Sequence, residues 1–401
     1  MKEVHKFSLA VFLALFTAKA GGAIFRALSL SLLPLKVYGE LAVFTVLLNT
    51  LGIVSAFGFP LLATKNAKNT KNFSTMFVNY AKFVVLISLS VSFTIFLFSP
   101  LLSRTFNVRE GIILVLSLTL PCFSLYNLAV FSLRGKRKSK AQLFAEASTA
   151  FFRIVFFILL FIAGITFAPF LAFPLAFCIA LLIIAWIERD FITSLKFRQR
   201  FKVSEKHKKT LLKAALLVMI AEAARFFAVG VDRLVLSSLF SSYTAGIYDA
   251  GSLLCLPILM MAASYGISLL SSKNVKGELK EAFKGYAKFF FIYGIFALTL
   301  GEYLLIAIKP SVSEILPYIP GILISYLLAG MVMILSYACI SQNFYKIAAF
   351  SSLLFLACVC VLNLLLTPGL KFSGCIFALT ISTIFPIFIL GEKLWKNLRK
   401  R

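Results

Sequence analysis

The run from Leu211 to Leu239 reads LLKAALLVMIAEAARFFAVGVDRLVLSSL, an apolar segment of helical length with Glu222, Arg225, Asp232 and Arg233 in its interior. In a soluble protein it would be an ordinary amphipathic helix. This chain, however, is 61% hydrophobic with a mean hydropathy of +0.97, and nearly all its segments are apolar on every face. The run therefore reads as a membrane helix carrying a charged stripe. At 100° per residue, Arg225 and Asp232 share a face, Glu222 lies within a turn of them, and Arg233 returns to the Glu222 row. The expectation is that all four face one aqueous cavity.

Working outward, 401 residues with only 14% charged side chains cannot solvate a surface of that size. A polytopic membrane protein is the class that fits. Lysine and arginine total 41 against 15 acids, a net charge of +26. In a soluble protein this would suggest nucleic acid, but here the bases cluster between apolar runs, in alternate loops, so nucleic-acid binding is excluded as a reading. The seven cysteines all sit inside apolar runs, where they act as small hydrophobes, and His5 and His207 lie in basic flanks. Neither a disulfide framework nor a metal site follows. The N-terminus imitates a signal peptide with Lys2, Lys6 and an apolar run to Ala20, but apolar character resumes to Leu35, too long for a secretory core.

Windows of about 20 apolar residues give twelve spans. With the N-terminus in the cytoplasm, the inner loops hold Lys65, Lys68 and Lys71; Arg134 to Lys140; the block Arg189 to Lys209; Lys273, Lys276 and Lys280; and the tail from Lys393. The outer loops hold only Lys36, Arg104, Arg109, Lys309 and Lys371. That asymmetry predicts both termini inside.

The basic block divides six spans from six. Lys65, Asn66, Ala67, Lys68 recurs as Lys273, Asn274, Val275, Lys276, and Tyr80, Ala81, Lys82, Phe83 as Tyr286, Ala287, Lys288, Phe289. Gly39 falls on Gly246 at nearly the same offset, a register that places Arg26 on Arg233. An even number of spans per repeat makes the repeats parallel, related by an axis along the membrane normal. The predicted fold is an all-α integral membrane bundle: residues 1–188 and 211–401 as two six-helix bundles, and 189–210 as a basic cytoplasmic linker.

Charge inside the membrane marks the candidate site. The first span carries Lys19 and Arg26, seven residues and about 10.5 Å apart on one face, with Gly21 and Gly22 between them. The fifth span repeats the spacing with Glu146 and Arg153, and the eighth adds Asp249. Facing lipid, Lys19, Arg26, Arg153, Arg225 and Arg233 would together cost on the order of 10 kcal/mol. Glu222 with Arg225 reads as a structural i,i+3 pair, and Asp232 as a partner of Arg225 or Arg26. Lys19, Arg26 and Arg153 have no acid within a turn, which favours an anionic ligand. Tyr38, Tyr243, Tyr303 and Tyr318 read as interfacial anchors.

Two parallel six-span halves, a first span leading into Val37, Tyr38, Gly39, Glu40, Leu41, and a seventh with Asp232, Arg233 ahead of Ala245, Gly246, Ile247, Tyr248 resemble the polysaccharide-exporter branch of the multidrug/oligosaccharidyl-lipid/polysaccharide flippase superfamily. The resemblance implies a V-shaped transporter in the cell membrane. It would flip a polyprenyl-diphosphate-linked oligosaccharide outward by alternating access through a cationic cavity, as a non-enzymatic monomer without cofactor. Glycan polymerases or glycosyltransferases would be its neighbours. Arg26, Arg233 and Arg153 are then the expected diphosphate or sugar-acid contacts, supported by Lys19 and Arg225, since the guanidinium fork suits phosphate. Glu146, Glu222, Asp232 and Asp249 are candidates for coupling to a proton or sodium gradient, or for charge balance.

Other classes predict other features. A multidrug cation antiporter on the same architecture needs carboxylates in the cavity, where the first span offers Lys19 and Arg26. A membrane glycosyltransferase needs catalytic acids in a sizeable outer loop, and the outer loops offer only Glu110 and Glu314, with Glu40 at a helix start. A non-transporting scaffold predicts that every intramembrane charge pairs off.

Overall fold

The computed structural model describes residues 20–66, 73–136, 138–189, 205–270 and 274–399. Among these, eleven helices are long and apolar enough to cross a membrane, and Ala20–Leu32 is a shorter apolar helix in the place of the first span. The others are Leu35–Ser55, Phe73–Leu97, Glu110–Gly135, Ser139–Ile162 and Ala168–Ile187 in the first half of the chain. The second half has Glu205–Leu239, Ser242–Leu270, Val275–Ile308, Pro310–Ser341, Tyr345–Leu370 and Phe372–Asn397. We number these spans one to twelve. The loops alternate as the sequence predicts: Lys65, Arg134, Lys136, Lys138, Lys276, Lys346 and Lys393 gather at one end of the bundle, here the basic end, and the opposite end is sparse in bases.

The second span starts at Leu35, directly after Pro34, and stops at Ser55. Phe57 and Gly58 then take left-handed backbone angles (φ 51° and 69°), and a short helix, Phe59–Asn66, follows. Only glycine fits at 58, because a Cβ there would sit 2.4 Å from the Ala215 carbonyl oxygen of the seventh span. The ninth span contains a π-helical turn at Ala297–Gly301, and the twelfth breaks at Thr383 between Phe372–Ser382 and Ile384–Arg399.

Outward-facing side chains are large and apolar, with Leu182, Phe291, Leu365 and Phe388 all about 70% exposed. In water such a surface would aggregate; in a bilayer it is the solvated face. The protein is thus a multi-pass membrane protein. Inside, the first half has an aromatic core in which Phe25 meets Phe157 and Phe173 edge-on at 5.4 Å, and Phe44 meets Phe170 in the same way.

The two halves meet along the second, seventh and eighth spans. At their sparse ends Gly39 and Gly246 face each other reciprocally. A Cβ on Gly39 would strike the Ser242 carbonyl, and one on Gly246 would lie 2.7 Å from the Leu35 carbonyl. Leu35 and Ser242, like Gly39 and Gly246 and like Arg26 and Arg233, stand 207 residues apart. Reciprocal contact between equivalent positions is what a two-fold axis between parallel repeats produces. Small residues at the crossing let the backbones approach.

Candidate functional site

Arg26 of the first span reaches across the interface between the halves. Its Nη1 donates to both carboxylate oxygens of Asp249 on the eighth span, at 3.2 and 3.3 Å, and its Nη2 donates to Thr45 Oγ1 at 2.9 Å. Arg233 of the seventh span donates to the same carboxylate through Nε at 2.7 Å, and through Nη2 to the Tyr326 hydroxyl at 2.7 Å. Tyr38 donates a fourth hydrogen bond to Asp249 at 3.1 Å. Asp249 is 1% exposed and its lone pairs are occupied by charged or phenolic donors, which is how a buried carboxylate is retained. The repeat-equivalent arginines therefore converge on one acid near the axis. The position 207 residues earlier is Ala42, so this acid has no counterpart in the first repeat.

Asp232, the residue before Arg233, points elsewhere. Its Oδ2 accepts from the Tyr248 hydroxyl at 2.7 Å, and its Oδ1 has no donor within reach among the described residues. It pairs with neither Arg225 nor Arg26, because those side chains are engaged by Glu222 and Asp249. Arg225, wholly buried, forms the expected i,i+3 ion pair with Glu222 and lies over the Tyr337 ring at 4.6 Å, while Tyr337 donates to Glu222 at 3.1 Å. Arg225 stands seven residues, about 10.5 Å, from Asp232 along the helix. The charged stripe of the seventh span thus divides into two buried clusters inside the protein.

Glu146 also belongs to a local pair. Arg134 Nη2 donates to it at 2.6 Å and Gln142 Nε2 at 2.9 Å, at the basic end of the first half.

Arg153 is different. Its guanidinium sits among three aromatic rings, 4.5 Å from the centroid of Phe173, 5.7 Å from Phe177 and 5.9 Å from Phe25. Its Nη1 lies beside Gly22, at ordinary contact distance, 3.9 Å, from where a Cβ would stand. Beside it the first and fifth spans touch closely, where a Cβ on Gly21 would clash with Ala150. Among the described residues no carboxylate pairs with Arg153, and its Nε has no acceptor. Phe25 is the neighbour of Arg26 in sequence, so Arg153 and Arg26 lie on adjoining sides of the first span. Lys19 lies outside the described residues.

The structure thus brings Arg26, Arg233 and Asp249 together, sets Arg153 beside them, and separates Arg225, Glu222 and Glu146 from them. Sequence reading missed Tyr38, which is buried on Asp249 instead of anchoring at the interface. It also missed Thr45, Tyr248 and Tyr326. The only signal for Tyr38 was its position beside Gly39, at the crossing of the repeats.

Comparisons with known proteins fit this architecture. Residues 8–270 match the model of a family described as polysaccharide biosynthesis protein. No curated protein is matched. Among solved structures, a eukaryotic MATE transporter superposes with a TM-score of 0.75 at 12% identity, over 98% of this chain and 95% of that one. A MATE multidrug transporter gives 0.72 at 16% identity, again over 98% and 95%. A MOP superfamily transporter from Pyrococcus furiosus, described as having a binding pocket of reverse polarity, gives 0.66 at 14% identity over 98% and 95%.

Proposed function

Because the chain belongs to the polysaccharide biosynthesis protein family, with the fold seen in MATE transporters, we propose that it flips a polyprenyl-diphosphate-linked oligosaccharide across the cell membrane. The diphosphate would be held by Arg153 and Arg26 and then by Arg233. The observation that carries this reading is Arg153, a guanidinium with aromatic walls and, among the described residues, no acid. A structural arginine at that depth would be paired; an anion-binding one is left open for its ligand. A lipid-linked glycan needs just this service. Its tail stays in the bilayer, and only the multiply charged head must be shielded from hydrocarbon.

The geometry supplies a sequence of events. With the basic end cytoplasmic, the Arg26–Asp249–Arg233 bridge holds the halves together toward the outer side. A diphosphate seated on Arg153 competes with Asp249 for Arg26, because a bidentate phosphate contact replaces a carboxylate one at similar geometry. Drawing Arg26 away leaves Asp249 to Arg233 within the second half, and residues 1–188 then rock against 211–401 about the Gly39–Gly246 crossing. Asp232, with an oxygen unmatched by a donor, is the acid best suited to accept a proton or sodium ion in the return step. Glu222 and Glu146 serve charge balance.

The multidrug reading would need an open carboxylate for a cation. Asp249 is saturated, Glu222 is paired and Asp232 is fully buried, so the anionic substrate is favoured. The test is Arg153→Ala and Arg153→Lys in cells that depend on this protein for surface glycan, with protein level and melting temperature measured in parallel. Export is expected to fall about tenfold to a hundredfold for Ala, the value of one or two charged hydrogen bonds, and to be partly restored by Lys. Normal export by Arg153→Ala at normal protein level would refute the assignment.

A further inference from the structure

A second basic site lies far from Arg153, on the outer face of the second half. Where the eleventh span begins and the twelfth ends, at the basic end, a groove of about 460 Å³ opens between them. Lys346, Lys393 and Lys396 line it, with Glu392 as its one acid, and Glu392 is paired with Lys396. Lys393 carries its ammonium over the Phe344 ring at 4.9 Å, a contact that orients the charge without cancelling it. Among the described residues neither Lys346 nor Lys393 has a carboxylate partner.

The floor of the groove is apolar and follows from helical spacing. Phe350 stands four residues below Lys346 on the eleventh span, and Ile389 four residues below Lys393 on the twelfth, so each lysine caps a hydrophobic side chain on its own face. Phe350 is 62% exposed and neighbouring Phe388 72%, which places the groove on the bilayer-facing surface. Trp395, 61% exposed and between Lys393 and Lys396 in sequence, is of the type that sits at headgroup level. Cations at headgroup depth above an open aromatic wall match an amphiphile with an anionic head and apolar tails.

We propose that this groove is a binding site for an anionic phospholipid of the inner leaflet, with its phosphodiester between Lys346 and Lys393 and an acyl chain along Phe350 and Phe388. Basic recesses between membrane helices on the cytoplasmic side bind such heads through the same combination of charge and depth. A soluble acidic protein would be a poor fit, because Ile347, Phe350 and Ile389 make three of the seven lining residues apolar. The site shares no residue with the Arg153 and Asp249 clusters, so the proposal stands whether or not the transport reading does.

The test uses the full chain reconstituted into nanodiscs of equal phosphatidylglycerol and phosphatidylcholine, with lipids retained after mild detergent extraction read by native mass spectrometry. Phosphatidylglycerol is expected to be retained in excess, and Lys346→Gln/Lys393→Gln to lower that excess about thirtyfold. Lys280→Gln/Lys284→Gln, which removes two charges at the same end but outside the groove, is expected to leave it unchanged. If the double groove variant does not purify folded, Lys346→Gln alone is read by the same ratio, with about a fivefold drop expected. Equal retention of the two lipids would overturn the site, as would an equal loss in the control variant. Inorganic phosphate that raises thermal stability as much as phosphatidylglycerol would overturn it as well, by showing a free-anion site.

Discussion

The two halves of the chain, which approach each other reciprocally at Gly39 and Gly246, differ in how they treat charge. In the first half, Arg26 and Arg153 stand within the bundle with no acid of their own, and Glu146 is consumed by Arg134. In the second half, Arg225 and Arg233 are accompanied by Glu222, Asp232 and Asp249, two cations against three carboxylates. The second half lends one of its acids, Asp249, to neutralise Arg26 across the interface. The asymmetry arises from a few substitutions between repeats, such as Ala42 opposite Asp249.

This contrast is broken most severely at Asp249. Asp249→Ala strands buried Arg233 and partly buried Arg26 in one step, and removing one partner of a buried ion pair costs about 3 to 5 kcal/mol. We expect the largest loss of thermal stability of any single change in the interior, read by melting of the purified protein in detergent. A variant that melts like the parent would mean that Arg26 and Arg233 find other partners.

Next in size is the second-half pair. Arg225→Leu leaves Glu222 buried against Tyr337 and is expected to cost about 3 kcal/mol, whereas Glu222→Leu/Arg225→Leu should recover most of that loss, because a buried pair and a well-packed apolar pair are close in stability. If the double variant stays as unstable as the single one, the pair does more than balance charge. Arg153→Leu sharpens the difference between the halves from the other side. It removes a cation that has no counter-ion, so stability is expected to hold or to rise by about 1 kcal/mol while export fails. Loss of stability equal to that of Arg225→Leu would place Arg153 among structural arginines.

How much of this was legible in the sequence follows from the range of the forces involved. The spans were legible because lipid demands about 20 apolar residues wherever the chain crosses. The crossing of Gly39 and Gly246, which leaves no room for another side chain, was legible from the register that the recurring tetrapeptides at Lys65 and Tyr80 set. The i,i+3 pair of Glu222 and Arg225 was legible because helical geometry alone brings it together. The bond from Arg26 to Asp249 was not, since the two are 223 residues apart and only the docking of the halves joins them. For the same reason Tyr38 read as an interfacial anchor: its place near a helix start suggested headgroups, and the burial that sets it on Asp249 comes from the opposite half.

The smallest expected effect lies at the basic end, where the first half again sends an uncompensated cation to the second. Lys65 Nζ donates to the Ile340 carbonyl at 3.0 Å, to Asn343 Oδ1 at 2.6 Å and to the Tyr345 hydroxyl at 2.9 Å, capping the C-terminal end of the tenth span with charge but meeting no acid. Burial pulls its ammonium down to about 8 from an ordinary 10.5. Between those values the unfolded chain binds a proton that the folded one has released, so stability contributed by this site rises with pH from about 8 to about 10.5. The side chain is partly open to solvent, and screening reduces the effect to about 1 kcal/mol. Melting of the parent protein relative to Lys65→Met should therefore shift in favour of the parent as pH rises through that window. A difference that stays flat would mean that Lys65 keeps its proton at the ordinary value, and that neutral acceptors alone can hold a cation between the halves without the cost that sets Arg153 apart.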